Sequence, residues 1–377
     1  MQKKRMQKIN TILIMILNMA GALTAAVGST LVMPVAQNKT EVVLNIAYLL
    51  IVYALSFFIH LIIHEAGHMV FGLLTGYRFN SFRVFSFMLQ LDDDGKIRFY
   101  RHSVAGTAGQ CLMEPPDAEP EKLPYILYNL GGILANIILS AVFAPMCLLT
   151  QAGGYLIAVF ICLTIIGILT AVVNGIPLPG VINDGRNIVE LHRHEKARLS
   201  FYVQLKSQIL LKKGIRIRDF PVEWFIMPDY DELQVTQSSI LAVYCCERLF
   251  DERKFSEAHD AIDLLLRRNA ALFTLHEQQL KANALYCELI GSMDSRRISD
   301  YYDKTLQKTF RSMSGFPSFI RTEYAYQLLY NKDEQKAARQ LALFESAAKK
   351  YPFQIEIKTE RELLELAQKT ALEREMK

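Results

Sequence analysis

From Thr11 to Met33 the chain carries no Asp, Glu, Lys or Arg, and the same holds from Val42 to Ile63. Each run reaches the length of about 20 apolar residues that crosses the hydrocarbon layer of a bilayer. Leu123–Leu149 and Tyr155–Ile176 repeat the pattern. The expected fold is therefore an α-helical polytopic membrane protein with about four transmembrane helices, near 11–33, 42–75, 123–149 and 155–176. The basic start Lys3, Lys4, Arg5 and Lys8 before the first run resembles a secretory signal. That run is longer than a signal's apolar core and shows no clear small-x-small cleavage site, so it reads as a retained anchor.

Positive charge sets the orientation. The N-terminus is basic, and the loop 77–122 holds Arg78, Arg83, Lys96, Arg98, Arg101 and Lys122, whereas the loop 34–41 has only Lys39 and the turn near Gly153 none. Basic loops stay on the cytoplasmic side, which predicts cytoplasmic N- and C-termini. The formal net charge of +4 is modest, so nucleic acid is not an expected partner. None of the six cysteines forms a C-x-x-C pair, which argues against a zinc ribbon or a disulfide framework.

Within 77–122, the alternation Phe79, Ser81, Arg83, Phe85 and the turn Asp92–Lys96 predict a small membrane-associated β-hairpin. Pro115, Pro116, Pro120 and Pro124 break the approach to the third span, and Pro177 and Pro179 follow the fourth. Beyond about residue 190 the chain is charged and shows helical apolar spacing over Phe255–Arg268, Leu275–Ile290, Ile298–Ser312, Phe319–Tyr330 and Glu334–Lys350. A spacing of about 40 residues between successive pairs suits an all-α, tetratricopeptide-like (TPR-like) array, with an irregular helical bundle as the alternative. Two domains are expected, a membrane domain over 1–190 and a cytoplasmic helical domain over 191–377. His192, His194, His259 and His276 read as scattered on charged surfaces of the second.

The chemistry concentrates in the second span, where the sequence runs His60-Leu-Ile-Ile-His64-Glu65-Ala-Gly-His68. Residues four apart share a helix face, so His64 and His68 can hold one zinc ion while Glu65 reaches a water on the metal as catalytic base. Ionisable groups in an apolar span are rarely kept without a role. The plainer alternative is a pair of buried histidines hydrogen-bonded to neighbouring helices. His60, one turn earlier, is a third ligand, a supporting group or a packing residue. A hydrolytic zinc needs a third protein ligand and an open position. Asp184, in the turn Asn183-Asp184-Gly185 after the fourth span, and Glu190 are the available carboxylates.

An H-E-x-x-H in one span, Gly131-Gly132-Ile-Leu-Ala-Asn136 in the next and Asn174, Pro177, Pro179 and Asp184-Gly185 after the last resemble the site-2 protease family of intramembrane zinc metalloproteases. The order and spacing match over roughly 42–190. The resemblance implies that Asp184 is the third zinc ligand and that Asn136 sits near the active site, binding substrate or stabilising the transition state. The chain departs from the family in having Gly132 where Pro is common and Asn183 where Pro often precedes the Asp. The implied activity is hydrolysis of peptide bonds in membrane-anchored proteins or peptide precursors, and a bacterial cell membrane is the expected location. The C-terminal helices carry no catalytic pattern and read as a regulatory domain or one that binds a cytoplasmic protein partner. The competing expectation is a non-catalytic membrane scaffold with a partner-binding helical tail.

Overall fold

The computed structural model describes residues 2–92, 95–101, 107–150, 153–178, 181 and 183–376. Pro179 and the Asp93-Asp94 part of the expected turn lie outside the described residues. The chain divides into two compact units, Met1–Arg193 and His194–Lys377.

In the first unit, four helices are long and apolar enough to cross a membrane: α1 (Gln2–Val32), α2 (Lys39–Leu74), α3 (Tyr125–Leu149) and α4 (Gly154–Gly175). Asn38 starts α2 by accepting from the Glu41 amide at 3.0 Å, satisfying one of the free donors of a helix N-terminus. At about 1.5 Å per residue its 36 residues span about 54 Å. Leu31 and Leu148 stay 80% and 89% exposed, as lipid-facing side chains do. Small residues mediate the crossings. A Cβ on Gly67 of α2 would fall 2.2 Å from the Gly131 carbonyl oxygen of α3, and one on Gly131 would fall 2.5 Å from that of Gly67. The two backbones thus touch directly, and only glycine permits that approach.

Between α2 and α3 lies a four-stranded antiparallel sheet rather than the single expected hairpin. Its strands are β1 (Arg78–Val84), β2 (Phe87–Leu91), β3 (Ile97–Arg101) and β4 (Gly109–Glu114), in the order β3-β2-β1-β4. The expected turn joins β2 to β3, where the Asp92 amide donates to the Lys96 carbonyl at 2.9 Å. An earlier reversal at Phe85, which adopts φ 53°, separates β1 from β2. Sequence alternation alone concealed that break, because Phe85 continues the apolar pattern through it. On β2 and β3, Phe87, Leu89, Ile97 and Phe99 share one exposed face. The short helix α5 (Asp184–Arg193) closes the unit.

The second unit contains α6 (Glu195–Lys212), α7 (Thr236–Asp251), α8 (Phe255–Arg267), α9 (Thr274–Ile290), α10 (Ser295–Tyr301), α11 (Lys304–Ser312), α12 (Pro317–Ala325), α13 (Glu334–Ala348) and α14 (Gln354–Glu375). Its core gathers Leu265, Leu280, Tyr286, Leu306, Phe319 and Phe344. The expected helix Ile298–Ser312 is broken into α10 and α11. Asp303 caps α11 by accepting from the Leu306 amide at 2.7 Å, and such side-chain competition for backbone donors ends helices. The expected helix Phe319–Tyr330 passes from α12 into a π-turn over Tyr326–Tyr330. His259 is buried, with Nε2 3.1 Å from the Glu288 carboxylate, not on a charged surface. A cavity of about 300 Å³ in this unit is lined by Tyr244, Glu247, Phe250, His276, Phe319 and Glu356 among others.

Candidate metal centre

Ser56, His60, His64 and His68 recur every four residues along α2, and all four are buried. A Cβ on Gly132 of α3 would sit 2.5–2.7 Å from three ring atoms of His64, so glycine at 132 makes the slot that holds that imidazole.

The third group comes from α5. Asn183, just before it, accepts from the Arg186 amide at 2.9 Å and donates to the Val173 and Ile176 carbonyls at 2.9 and 2.7 Å. One side chain therefore caps α5 and ties it to the end of α4, fixing Asp184 in the first helical turn. Asp184 Oδ2 lies 3.1 Å from His64 Nε2 and 3.5 Å from His68 Nε2, and the two nitrogens are 3.2 Å apart.

Those three separations can be compared with what a metal requires. A tetrahedral zinc with bonds of about 2.0–2.1 Å spaces neighbouring donors about 3.3 Å apart. The observed triangle has that size, and among the described residues His64, His68 and Asp184 are the group of side chains able to share a metal ion. Asp184 Oδ2 is buried, and apart from the two imidazole nitrogens it has no hydrogen-bond partner among the described residues. An orphaned buried carboxylate oxygen is costly, and a cation would satisfy it.

The tautomer of His68 follows from its neighbour. Its Nδ1 lies 2.7 Å from the Tyr128 carbonyl oxygen, which can only accept, so Nδ1 carries a proton and the neutral ring presents a bare Nε2 to the triangle.

Glu65 is buried next to this group, with His68, His64, Asp184 and Arg83 as its ionisable neighbours. The start of β4 leans on it: a Cβ on Gly109 would approach Glu65 Oε1 at 2.4 Å. Glu190 stands apart, pairing with Arg186 Nε at 2.7 Å. Asn136 is fully buried and bridges His60 and His64. The structure thus brings His64, His68, Asp184, Glu65 and Asn136 to one region of the first unit.

Sequence reasoning missed several supporting parts. Asn183 registered only as a departure from a family pattern, although Asn directly before a helix is a capping signal. Arg83 registered as one of several loop cations, yet it is buried and donates to the Phe85 and Thr107 carbonyls at 2.7 and 3.4 Å. No local signal marks the Tyr128 carbonyl, because every residue has one. Against protein-family models, curated proteins and solved structures, the chain finds no match.

Proposed function

We propose that the first unit is an intramembrane zinc metalloprotease of the site-2 protease type. The observation that carries this reading is the triangle of His64 Nε2, His68 Nε2 and Asp184 Oδ2, sized for one ion, with Glu65 adjoining. Two imidazoles and a carboxylate, with a fourth position for water, form a donor set typical of hydrolytic zinc rather than of magnesium or calcium. When bound, such an ion supplies Lewis acidity that brings a water's pKa near 7.

The chain's own residues do the rest. Glu65 takes a proton from the attacking water and returns it to the leaving nitrogen as the peptide bond breaks. A membrane helix hides its carbonyls in backbone hydrogen bonds, so a substrate must be extended before cleavage. β4 is an outer strand of the sheet and abuts Glu65 through Gly109, which suits it to pair with an extended segment. On this reading the receiving edge is β4. The exposed Phe87, Leu89, Ile97 and Phe99 face suits contact with the lipid surface.

The substrates on this reading are membrane-anchored proteins or peptide precursors. The termini are cytoplasmic in a bacterial cell membrane, and the helices of the second unit, in a TPR-like arrangement, dock a cytoplasmic partner. The test compares wild type with Glu65→Gln in the native host. New termini within hydrophobic segments should appear only with wild type, while both purified proteins retain zinc. Identical fragments from the two strains, the behaviour of a scaffold, would refute the proposal, as would a zinc-free wild type.

A further inference from the structure

We infer that His60 is a positioning residue which, through the Asn136 amide, dictates which nitrogen of His64 is left bare for a metal. This rests on the metal reading of His64, His68 and Asp184. His60 is fully buried one helical turn before His64, and its Nε2 lies 2.7 Å from the Leu163 carbonyl oxygen of α4. A carbonyl only accepts, so the proton of a neutral His60 is on Nε2 and its Nδ1 must receive a hydrogen bond. That Nδ1 is 2.9 Å from Asn136 Oδ1, and Asn136 Nδ2 is 3.2 Å from His64 Nδ1.

The two ends of an amide are nearly isosteric, so its partners decide its orientation. With Oδ1 toward His60 and Nδ2 toward His64, His60 needs protons on both nitrogens. An imidazolium would then be buried in an apolar helix, its bonding partners an uncharged carbonyl and an uncharged amide, at a large desolvation cost. That orientation also drives the His64 proton onto Nε2, the atom that faces His68 and Asp184. Turning the amide over removes both conflicts. Nδ2 donates to His60 Nδ1, and Oδ1 accepts from His64 Nδ1, so His64 Nε2 keeps its lone pair toward Asp184 Oδ2.

The relay supplies for His64 what the Tyr128 carbonyl supplies for His68 directly. The packing around His60 leaves it no alternative seat. A Cβ on Gly167 of α4 would lie 2.2 Å from His60 Cε1, so the ring fills a slot that a larger residue would close.

The test uses the full-length protein in detergent micelles. Zinc affinity is measured against a competing chelator for wild type, His60→Leu and His60→Gln, and the protonated nitrogen of His64 is identified by NMR of ¹⁵N-histidine-labelled, metal-free protein. Glutamine can both accept from Asn136 and donate to the Leu163 carbonyl, whereas leucine can do neither. Loss of an outer hydrogen bond to a ligating histidine weakens metal binding by about 10- to 100-fold. His60→Leu should show that loss, His60→Gln should stay close to wild type, and wild-type His64 should carry its proton on Nδ1. A proton on Nε2 in wild type would overturn the proposal, as would wild-type affinity in His60→Leu or equal losses in both variants. Should neither variant fold, the wild-type spectrum decides. A wild type with Nδ1 protonated but no zinc affinity would sink the metal reading and leave the relay standing.

Discussion

Asn183 offers a sharp test of how the third ligand is held. Replacing it with alanine removes three hydrogen bonds, one capping α5 and two reaching the Val173 and Ile176 carbonyls. Each such bond contributes about 1 kcal/mol net, and an N-cap alone contributes about 0.5–2 kcal/mol. The local tether is thus worth about 3 kcal/mol, set against an Asp184 that must be held within 3.5 Å of both imidazoles. If the whole of it is spent on keeping α5 in place, its loss lowers zinc affinity about 100-fold, since about 1.4 kcal/mol corresponds to tenfold. Asn183→Ser keeps a capping oxygen but falls short of the two carbonyls, so its loss should be intermediate. Competition with a chelator on the full-length protein reads both variants. Wild-type affinity in Asn183→Ala would refute the idea that this side chain positions Asp184.

Three further outcomes are expected. Asp184→Ala should abolish zinc retention while Glu190→Ala leaves it intact, because Glu190 is engaged by Arg186; metal analysis of the two proteins checks this. Gly132→Ala should preserve helicity by circular dichroism, since alanine favours helix by about 1 kcal/mol, yet displace His64 and cut zinc binding. In the second unit, burial pushes the Glu247 and Glu356 carboxyls up to about 8 and about 7, so the folded state holds protons that the unfolded chain has lost. Stability from these groups is present at low pH and disappears as pH rises through 7 and 8; between pH 6.5 and 8.5 the loss is on the order of 2 kcal/mol. Below 6.5 His276, pushed down to about 4 by burial, opposes the trend, so the window is the alkaline one. Trp224 is the sole tryptophan and lies in this unit, so its fluorescence on heating reports the change, and Glu247→Gln should flatten it.

The parts of this chain that were legible in its sequence are those governed by short periodicities. Uncharged runs gave the four long helices because a bilayer selects for length and apolarity together. His64 and His68 were legible because four residues on a helix bring side chains to one face, and Asp184 through the Asp-Gly that the resemblance to the site-2 protease family singled out. What escaped depends on contacts between distant segments. The reversal at Phe85 follows from a left-handed backbone that an apolar residue does not advertise. β4 pairs with β1 across about 25 intervening residues, and its short Gly109–Glu114 stretch carries no strong alternation of its own. The burial of His259 beside Glu288 depends on how α8 meets α9 and α10, which no local pattern states.

The length of α2 sets a ruler for the proposed cleavage. From Lys39 to His64 the helix rises about 38 Å, or about 35 Å along the membrane normal at an ordinary tilt of about 20°, against a hydrocarbon layer of about 30 Å. A helix entering the bilayer at Lys39 would therefore deliver His64 and His68 to the opposite rim and not to the midplane. A substrate cut there would be severed near one end of its anchor, leaving almost the whole hydrophobic stretch behind in one product. The other product would leave with a short greasy stub, soluble at once and needing no separate step to pull it from the lipid.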